Sequence, residues 1–458
     1  MQRLFILICA LLLGFCQSVP EQKKSSGILI SDVSILDVST GEIIEHQSIE
    51  IDSGKIRRIT GIVKDTGGFQ TVIDGKGKYV MPGLAEMHAH IPSPPISQEQ
   101  LEETLFLYLS NGITTIRGML GHPSHLELKK LVAKGEVLGP RIFTSSPSLN
   151  GNTVRTTAEA KAKVAQYQKD GYDFLKIHPG ILRTVFDQVV ATAKEVDIPF
   201  AGHVPVDVGI RHALKSGYAS IDHVDGFLEG LVPENTRVNP RENGFFGYNF
   251  TMLTDTTLIP SLVSIAKENM VWIVPTQSLF ERWFAPVSAD QLLNEPEMIY
   301  MPVTTLTNWK IRKEQTMGES TNFNVPQWER FNAIRLQLIK ALQDNGHGIL
   351  LGSDAPQLFN VPGFSIHHEI DGMIHAGLTP LQIIKSGTLN PSIYFDQQEV
   401  FGQIKEGMVA DLLLLKENPL ENIKALKKLD GVMIGGRWID RKTIDKKLKV
   451  IASHAENQ

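Results

Sequence analysis

Between residues 83 and 354, short apolar runs alternate with longer segments of helical periodicity, and this alternation restricts the possible folds more than any other feature. Such a pattern is typical of βα units, whose strands lie parallel in one sheet. Eight strand candidates occur here, at 83–91, 113–117, 141–145, 174–178, 199–204, 220–223, 271–276 and 349–354. Because eight βα units close a barrel, the sequence predicts an α/β fold with a (β/α)8 TIM-like barrel over residues 81–398.

The two ends of the chain have a different, strand-rich pattern. Short β-type runs punctuated by Gly and Asp occur at 28–30, 33–36, 48–51 and 56–59, and again at 410–415, 431–434 and 437–439. We therefore expect both ends of the mature chain to form one small β-sandwich domain, from residues 19–80 and 399–445. The remaining residues, 446–458, are expected to be a tail.

Helix start signals and one irregular segment complete the pattern. Thr156 and Glu159 have the spacing of a capping box, and Thr379 followed by Pro380 is typical of a helix start. The segment 280–327, rich in Trp, Met, Asn and Pro, interrupts the alternation before the last strand candidate. It is interpreted either as a lid over the barrel mouth or as a helical insertion, and the sequence leaves both open.

Residues 1–18 have the pattern of a secretory signal peptide. Arg3 precedes an uninterrupted apolar stretch, 4–15, which is shorter than the roughly 20 residues needed to span a bilayer. A buried N-terminal helix is the alternative, but the polar segment 17–26 favours cleavage followed by a linker. We expect an exported protein, periplasmic or secreted, with no integral membrane span after cleavage.

Both cysteines of the chain, Cys9 and Cys16, lie in the predicted signal segment. Lipoprotein anchoring at Cys16 is disfavoured because Phe15 is bulky at a position where that motif has a small residue. Cleavage after Ser18 would leave no cysteine in the mature chain, and therefore neither a disulfide nor a thiolate metal ligand.

The charge balance limits the kinds of partner. The net charge is −5 and the isoelectric point lies near 6.3, and no run of Lys and Arg is long enough to follow a phosphate backbone. Nucleic acid is therefore not an expected partner. A hydrophobic content of 42% provides for a large core, so a globular protein with a small-molecule substrate is expected, and oligomerisation stays open.

Polar side chains occur at the ends of the predicted strands, where enzymes built on such barrels place their reactive groups. His88 and His90 end the first strand candidate. Because side chains two apart on a strand share a face, both imidazoles can point into the barrel. Four further polar residues occur near the ends of later strand candidates: Lys176, His203, His223 and Asp354.

A polar residue at the end of a buried apolar run is costly unless another group compensates it. A bound cation is the simplest compensation, and imidazole together with carboxylate suits Zn²⁺ or a similar divalent ion. Taken alone, His203 or His223 could equally be a hydrogen-bonded core histidine. The hypothesis of a metal site therefore depends on all six positions together.

The order and local motifs of the six predicted ligands resemble those of a known enzyme family. The segment 81–90 (MPGLAEMHAH), followed in order by the lysine, the two histidines and the aspartate, resembles the amidohydrolase superfamily. The segments around Arg117, His203, His223 and Asp354, together with 405–412, are similar to its imidazolonepropionase-like and prolidase-like branch. The resemblance covers nearly the whole mature chain and implies a barrel, a β-sandwich built from both termini, and metal-dependent hydrolysis.

The resemblance also implies a role for Lys176. An ammonium group has no lone pair and cannot bind a metal, but in binuclear members the corresponding lysine is carboxylated by CO₂ and bridges two divalent ions. Lys176 therefore favours two ions over one, with a lysine that reaches the surface as the alternative. The implied ligands are His88, His90 and Asp354 for one ion, His203 and His223 for the other, and carboxylated Lys176 between them.

The implied chemistry is attack of a metal-bound hydroxide on a carbonyl carbon, since a bound ion lowers the pKa of water from about 15.7 toward about 7. Asp354 would be the general base toward that water and then the general acid toward the leaving amine. His178 and Arg117 are candidate substrate-binding residues, with strand-end polarity and a structural ion pair as the respective alternatives.

The expected function is hydrolysis of a C–N bond in an amide, a dipeptide or an N-acyl amino acid. Cyclic-amide hydrolysis, deamination, and lactone or ester hydrolysis use the same ligands and stay open. A hypothesis from another class is an exported binding protein on a degenerate amidohydrolase fold. The complete set of six ligand positions argues against it.

Overall fold

The computed structural model describes residues 27–318 and 322–456. The predicted signal peptide, both cysteines and the polar segment 17–26 therefore lie outside the described residues. Export of the protein stays a prediction.

Fifteen strands occur in this part of the chain, and their bounds are as follows. They are β1 (Ile28–Asp37), β2 (Glu42–Asp52), β3 (Lys55–Gly61), β4 (Thr71–Asp74), β5 (Tyr79–Pro82), β6 (Leu84–Ala89), β7 (Ile113–Gly118), β8 (Arg141–Thr144), β9 (Leu175–Ile177), β10 (Phe200–Gly202), β11 (Ser220–Asp222), β12 (Trp272–Val274), β13 (Leu412–Leu415), β14 (Leu429–Ile434) and β15 (Arg437–Asp440).

The helices fall mainly between these strands. The α-helices are α1 (Gln98–Ser110), α2 (Pro123–Ala133), α3 (Thr157–Asp170), α4 (Arg183–Glu195), α5 (Ile210–Ser216), α6 (Phe227–Gly230), α7 (Ile259–Glu268), α8 (Gln277–Phe284), α9 (Ala289–Leu293), α10 (Val303–Met317), α11 (Val325–Asn345), α12 (Ser365–His375), α13 (Pro380–Gly387), α14 (Leu389–Tyr394) and α15 (Arg441–Ala455). Short 3₁₀ helices cover Pro240–Glu242, Phe245–Leu253, Thr256–Leu258, Pro296–Tyr300 and Ile423–Lys427.

Strands from both ends of the chain form one eight-stranded sheet, in the order β15-β14-β13-β5-β1-β2-β3 with β4 paired to β1. The junction between the two ends is the antiparallel pair of β13 and β5, in which Leu412 lies opposite Pro82. One face packs through alternating apolar residues such as Ile30, Ile49 and Leu414. The predicted β-sandwich form of this region and its domain bounds stay predictions.

The middle of the chain has two parallel sheets, β6-β7-β8 and β12-β11-β10-β9. Isolated parallel bridges extend the pairing: Ser145 with Phe174 links β8 toward β9, and Ile273 with Ile349 extends it beyond β12. Seven of the eight predicted strand candidates thus contain a regular strand. Their helices lie between them in sequence, so the α/β class is confirmed.

The eighth candidate, 349–354, was wrongly predicted as a regular strand. The segment lies between β12 and β6, where the Leu350 amide donates to the Ile273 carbonyl at 2.9 Å and the Met87 amide donates to the Leu351 carbonyl at 2.8 Å. Asp354 has a φ of 66°, which breaks the extended conformation that a continuous ladder requires. The closed (β/α)8 barrel stays a prediction at this point.

Helix starts follow the sequence signals. Thr156 caps α3, accepting a hydrogen bond from the Glu159 amide at 3.2 Å, and the reciprocal bond of a capping box is present. Thr379 caps α13 in the same way, with Pro380 in the first turn. The predicted tail is not irregular, because most of 446–458 belongs to α15.

The segment 280–327 is largely helical in its described part, with α8, α9 and α10 packed together. The buried Lys313 ammonium of α10 donates to the carbonyls of Arg282, Trp283 and Ala285 at 2.8 to 3.1 Å, which satisfies the end of α8. A lid function for this segment stays a prediction. Among residues 27–318 and 322–456, no helix combines the length and apolar character that a membrane crossing needs.

Gly352 allows the 349–354 segment to lie against β6. A Cβ atom at this position would be 2.7 Å from the His88 amide nitrogen and 2.7 Å from Val274 Cγ1. Gly352→Ala should therefore lower the free energy of unfolding by about 1–3 kcal/mol, as overpacking does. Urea denaturation measures the change. Gly61→Ala is the control, because its Cβ would meet nothing within 4 Å; equal effects of the two substitutions would contradict the packing argument.

Candidate metal centre

The predicted ligands from β6 and the eighth segment lie in direct contact. His90 Nε2 is 2.6 Å from Asp354 Oδ1, and His88 Nε2 is 3.4 Å from the same oxygen. One ligand atom from each of the three residues can be chosen so that all lie within 4.8 Å of one another. This spacing suits three ligands of one metal ion, and two of the three side chains are almost completely buried.

His203 and His223 follow β10 and β11 and continue the cluster. The ring centroids of His88 and His223 are 4.5 Å apart, and those of His203 and His223 are 4.7 Å apart. His203 Nδ1 lies 3.0 Å from Asp225 Oδ2, and His223 Nδ1 lies 2.8 Å from Thr276 Oγ1. Because each Nδ1 has a partner, each Nε2 is left as the potential metal ligand.

Lys176 lies on β9 with its side chain fully buried. Its Nζ has no hydrogen-bond partner among the described residues, and the nearest carboxylate oxygen, Asp222 Oδ2, is 3.8 Å away. Burial lowers the pKa of the Lys176 ammonium, although Asp222 opposes this shift. Burying an amine without a hydrogen-bond partner costs free energy. A bound or covalently attached group at Lys176 Nζ would offset this cost.

Three of the predicted histidine ligands, His88, His203 and His223, are kept in the neutral form that metal binding requires. Burial and the nearby Lys176 lower the pKa of His88 and His203 well below the ordinary value. Burial and the neighbouring His88 do the same for His223. Neutral imidazole is the form that binds a metal ion, so these three rings are competent ligands at neutral pH. The donor set and the unpartnered Lys176 Nζ together fit a divalent metal centre.

The backbone is strained at several of these positions. His223, Thr276 and Asp354 have φ values of 67°, 47° and 66°, in the left-handed region that non-glycine residues seldom adopt. Each lies just beyond a strand end or an extended run. Such strain persists where the surrounding structure imposes it, and it turns these side chains away from the regular strand direction.

Arg117 and Asp222 form a buried ion pair beneath the ligands, with 2.7 Å between Arg117 Nη2 and Asp222 Oδ1. Arg117 also donates from Nε to the Met87 carbonyl at 2.6 Å, and from Nη1 to the Ser220 and Tyr394 hydroxyls at 2.8 Å. Burial alone would raise the pKa of Asp222, but Arg117 and Lys176 offset it and lower that pKa. These contacts are structural, and a role for Arg117 in binding a substrate carboxylate stays a prediction.

His178 lies beside the cluster. Its ring stacks on that of His203 with 4.9 Å between centroids, and its Nδ1 is 2.6 Å from Ser148 Oγ. Burial lowers the pKa of His178, so the ring is neutral at physiological pH. The structure thus places His178 next to a predicted ligand, and its role in substrate binding stays a prediction.

Several residues at this centre were not identified from the sequence. Asp222 and Asp225 flank His223 in the sequence, and this clustering of carboxylates at a strand end was an available signal. Thr276 ends the seventh strand candidate and could have been found by the same positional argument. Glu86 accepts from the Ser353 amide at 2.7 Å, and burial raises its pKa to about 8. Its distance in sequence from Ser353 concealed that contact.

Comparison with known proteins identifies the class. Residues 79–439 match the Amidohydrolase family, and the chain belongs to that family. This match confirms the resemblance inferred from the ligand motifs. At the level of the family, the activity is hydrolysis of C–N bonds.

Individual relatives are more distant. Ochratoxinase from Aspergillus niger is 24% identical over 381 residues, which cover 77% of this chain and 73% of the relative. Adenine deaminase from Clostridium botulinum (strain Loch Maree / Type A3) is 27% identical over 428 residues, covering 91% of this chain and 58% of the relative.

Solved structures establish the similarity of fold. A bottromycin amidohydrolase has a TM-score of 0.72 at 21% identity, covering 95% of this chain and 92% of that chain. A Xaa-Pro dipeptidase with bound methionine has a TM-score of 0.65 at 21% identity, covering 91% of this chain and 100% of that chain. The chain therefore has an amidohydrolase fold.

The Arg117–Asp222 pair generates a prediction about stability. Asp222→Ala would leave the Arg117 guanidinium buried without its counter-charge, and should lower the free energy of unfolding by about 3–5 kcal/mol. Asp207→Ala is the matched control, since Asp207 pairs with the exposed Arg241 at 3.1 Å and should lose no more than about 1 kcal/mol. Chemical denaturation of both variants checks this; a loss at Asp222 no larger than at Asp207 would contradict it.

Proposed function

We propose that this protein is an exported enzyme that hydrolyses an amide or dipeptide-type C–N bond with the help of two divalent metal ions, most simply Zn²⁺. The observation that supports it best is the convergence of six side chains from five separate segments around the unpartnered amine of Lys176. Four imidazoles, a carboxylate and a buried lysine have no packing reason to meet.

The proposal includes a (β/α)8 barrel as the scaffold. Its support is the order of the pairs: β6-β7-β8, the bridge from Ser145 to Phe174, then β9 to β12. Residues 349–355 connect β12 to β6 through two isolated parallel bridges, Ile349 with Ile273 of β12 and Ala355 with Ala89 of β6. In this scaffold, the ligands lie at the carboxyl ends of the strands, where barrel enzymes have their active sites.

In the proposed centre, Lys176 is carboxylated. A neutral amine adds to CO₂ and loses one proton to solvent, which gives an anionic carbamate, and burial favours the neutral amine that this reaction needs. The carbamate would lie between the two ions. The proposed ligands are His88, His90 and Asp354 for one ion and His203 and His223 for the other.

When bound, the two ions would supply an ionised water at neutral pH and would polarise the substrate carbonyl. Asp354 provides the proton transfer: its carboxylate accepts the proton of the attacking water and then donates it to the nitrogen of the leaving amine. His90 Nε2 lies 2.6 Å from Asp354 Oδ1, so these two proposed ligand atoms already face the same point. Asp225 and Thr276 orient His203 and His223 through their Nδ1 atoms.

The comparisons support a substrate with an amide or peptide bond. The similar structures include a bottromycin amidohydrolase and a Xaa-Pro dipeptidase. A second candidate is deamination, which is favoured by the 27% identity to an adenine deaminase over most of this chain.

A screen of metal-loaded protein tests the function and separates these candidates. Dipeptides and N-acyl amino acids are assayed for amine release, and aminopurines are assayed for ammonia release. Hydrolysis in the first set supports the proposal, and turnover confined to the second set establishes deamination instead. Tight metal binding without turnover in either set would favour the binding-protein alternative.

Asp354→Asn tests the role of the carboxylate. The amide keeps an oxygen that can bind a metal but cannot accept a proton, so kcat should fall by about 10²–10⁴-fold while much of the metal stays bound. Steady-state kinetics on a substrate from the screen, with metal content measured on the same sample, checks this. Asp170→Asn, at an exposed helix position, is the control. A kcat near that of the wild type would exclude Asp354 as the proton carrier.

A further inference from the structure

Phe246 places an apolar ring directly beside the polar metal centre. Its ring centroid lies 5.3 Å from that of His223 and 5.8 Å from that of His203. The side chain is only partly buried. An apolar ring thus lies against two imidazoles that are proposed as metal ligands, whereas the Nδ1 atoms of those imidazoles have the polar partners Asp225 and Thr276.

The backbone holds this ring in place at a conformational cost. Phe246 has φ 52° and ψ 40° and Gly247 has φ 78° and ψ 7°, so the 3₁₀ segment Phe245–Leu253 is kinked at these two residues. Gly244, two residues before Phe246, also has a positive φ. Gly247 is tightly packed, because an added Cβ would lie 2.8 Å from Glu229 Oε2. The turn is therefore confined on both sides, and strain of this kind is typical of functional sites.

A second layer of side chains supports the ring. Phe280 of α8 meets Phe246 edge-on with 4.9 Å between centroids. The Arg335 guanidinium of α11 lies 3.5 Å from the centre of the Phe280 ring. Arg335 also donates to the His223 carbonyl at 2.7 Å, so one buried residue supports both the aromatic ring and a predicted ligand. The position of Phe246 relative to the metal centre is therefore fixed by packing rather than by a free loop.

From this geometry we infer that Phe246 is a specificity-determining residue, and that the substrate has an aromatic or bulky apolar group next to the scissile C–N bond. The inference rests on the proposed function, because it assigns the substrate class of that same site. An apolar group stacked on Phe246 would leave water as it binds, and offset or edge-to-face contact between rings would add to the affinity. A substrate with hydrogen in place of that group would lose both.

The test compares matched probes that differ only in this group. N-acetyl-L-phenylalanine is compared with N-acetylglycine for a group on the amine side, and Phe-Gly is compared with Gly-Gly for a group on the acyl side. Binding to the metal-loaded wild type is measured by calorimetry, and hydrolysis is measured separately. On at least one side we expect the phenylalanine probe to be preferred by about tenfold or more in affinity and in kcat/KM.

Phe246→Ala should reduce that preference to within about threefold, while the metal content stays close to that of the wild type. Phe246→Leu should keep an intermediate preference, because it retains apolar bulk without the ring. Phe395→Ala is the matched control: Phe395 is also a partly buried phenylalanine, its ring stacks on that of Phe143 with 3.6 Å between centroids, and its removal should leave the preference unchanged.

The outcomes separate the inference from the function on which it rests. Equal affinity of the wild type for both probes of each pair overturns the inference, and so does a preference that survives in Phe246→Ala. A preference in binding that depends on Phe246, without hydrolysis of any probe, supports the substrate class and overturns the proposed activity. Because each preference is a ratio within one variant, a general loss of active protein does not affect it.

Discussion

The carboxylate of Asp222 organises the centre of this molecule. It is fully buried, it pairs with the Arg117 guanidinium at 2.7 Å, and its other oxygen lies 3.4 Å from His88 Nδ1 and 3.8 Å from Lys176 Nζ. A buried charge of this kind is tolerated only when its partners hold it in a fixed geometry. Arg117 in turn donates to the Met87 carbonyl, so the ion pair ties together the strands that bear the proposed ligands.

The buried Arg117–Asp222 pair therefore contributes both to the fold and to the geometry of the proposed metal centre. His203 and His223 directly follow β10 and β11, and both His223 and Asp354 have left-handed backbone conformations at the ends of their extended runs. Partners behind them then fix the imidazoles, as Asp225 does for His203 at 3.0 Å. The imidazole and carboxylate lone pairs lie close together, and the Lys176 amine has no partner. Binding of the proposed metal ions would compensate both, so part of the stability of this region would depend on the ions.

Much of this arrangement could be predicted from the sequence, and the features that could not be predicted have physical reasons. Seven of the eight strands predicted from the apolar runs are regular strands, and the family resemblance implied the grouping of His88, His90 and Asp354, whose side chains lie in contact. The eighth strand was wrong because a positive φ at Asp354 has no signal in the sequence. The partners of Arg117 come from positions as distant as Tyr394, and pairings over such separations follow from the completed fold rather than from local pattern.

The central claim is that Lys176 belongs to a two-metal centre, and elemental analysis of purified, metal-loaded protein tests it most directly. The account predicts about two divalent ions per chain in the wild type and a clear loss of bound metal in Lys176→Ala. Lys313→Ala is the control for removing a buried lysine, because Lys313 Nζ already has three backbone carbonyl partners. One ion per chain in the wild type, unchanged in Lys176→Ala, would contradict the claim.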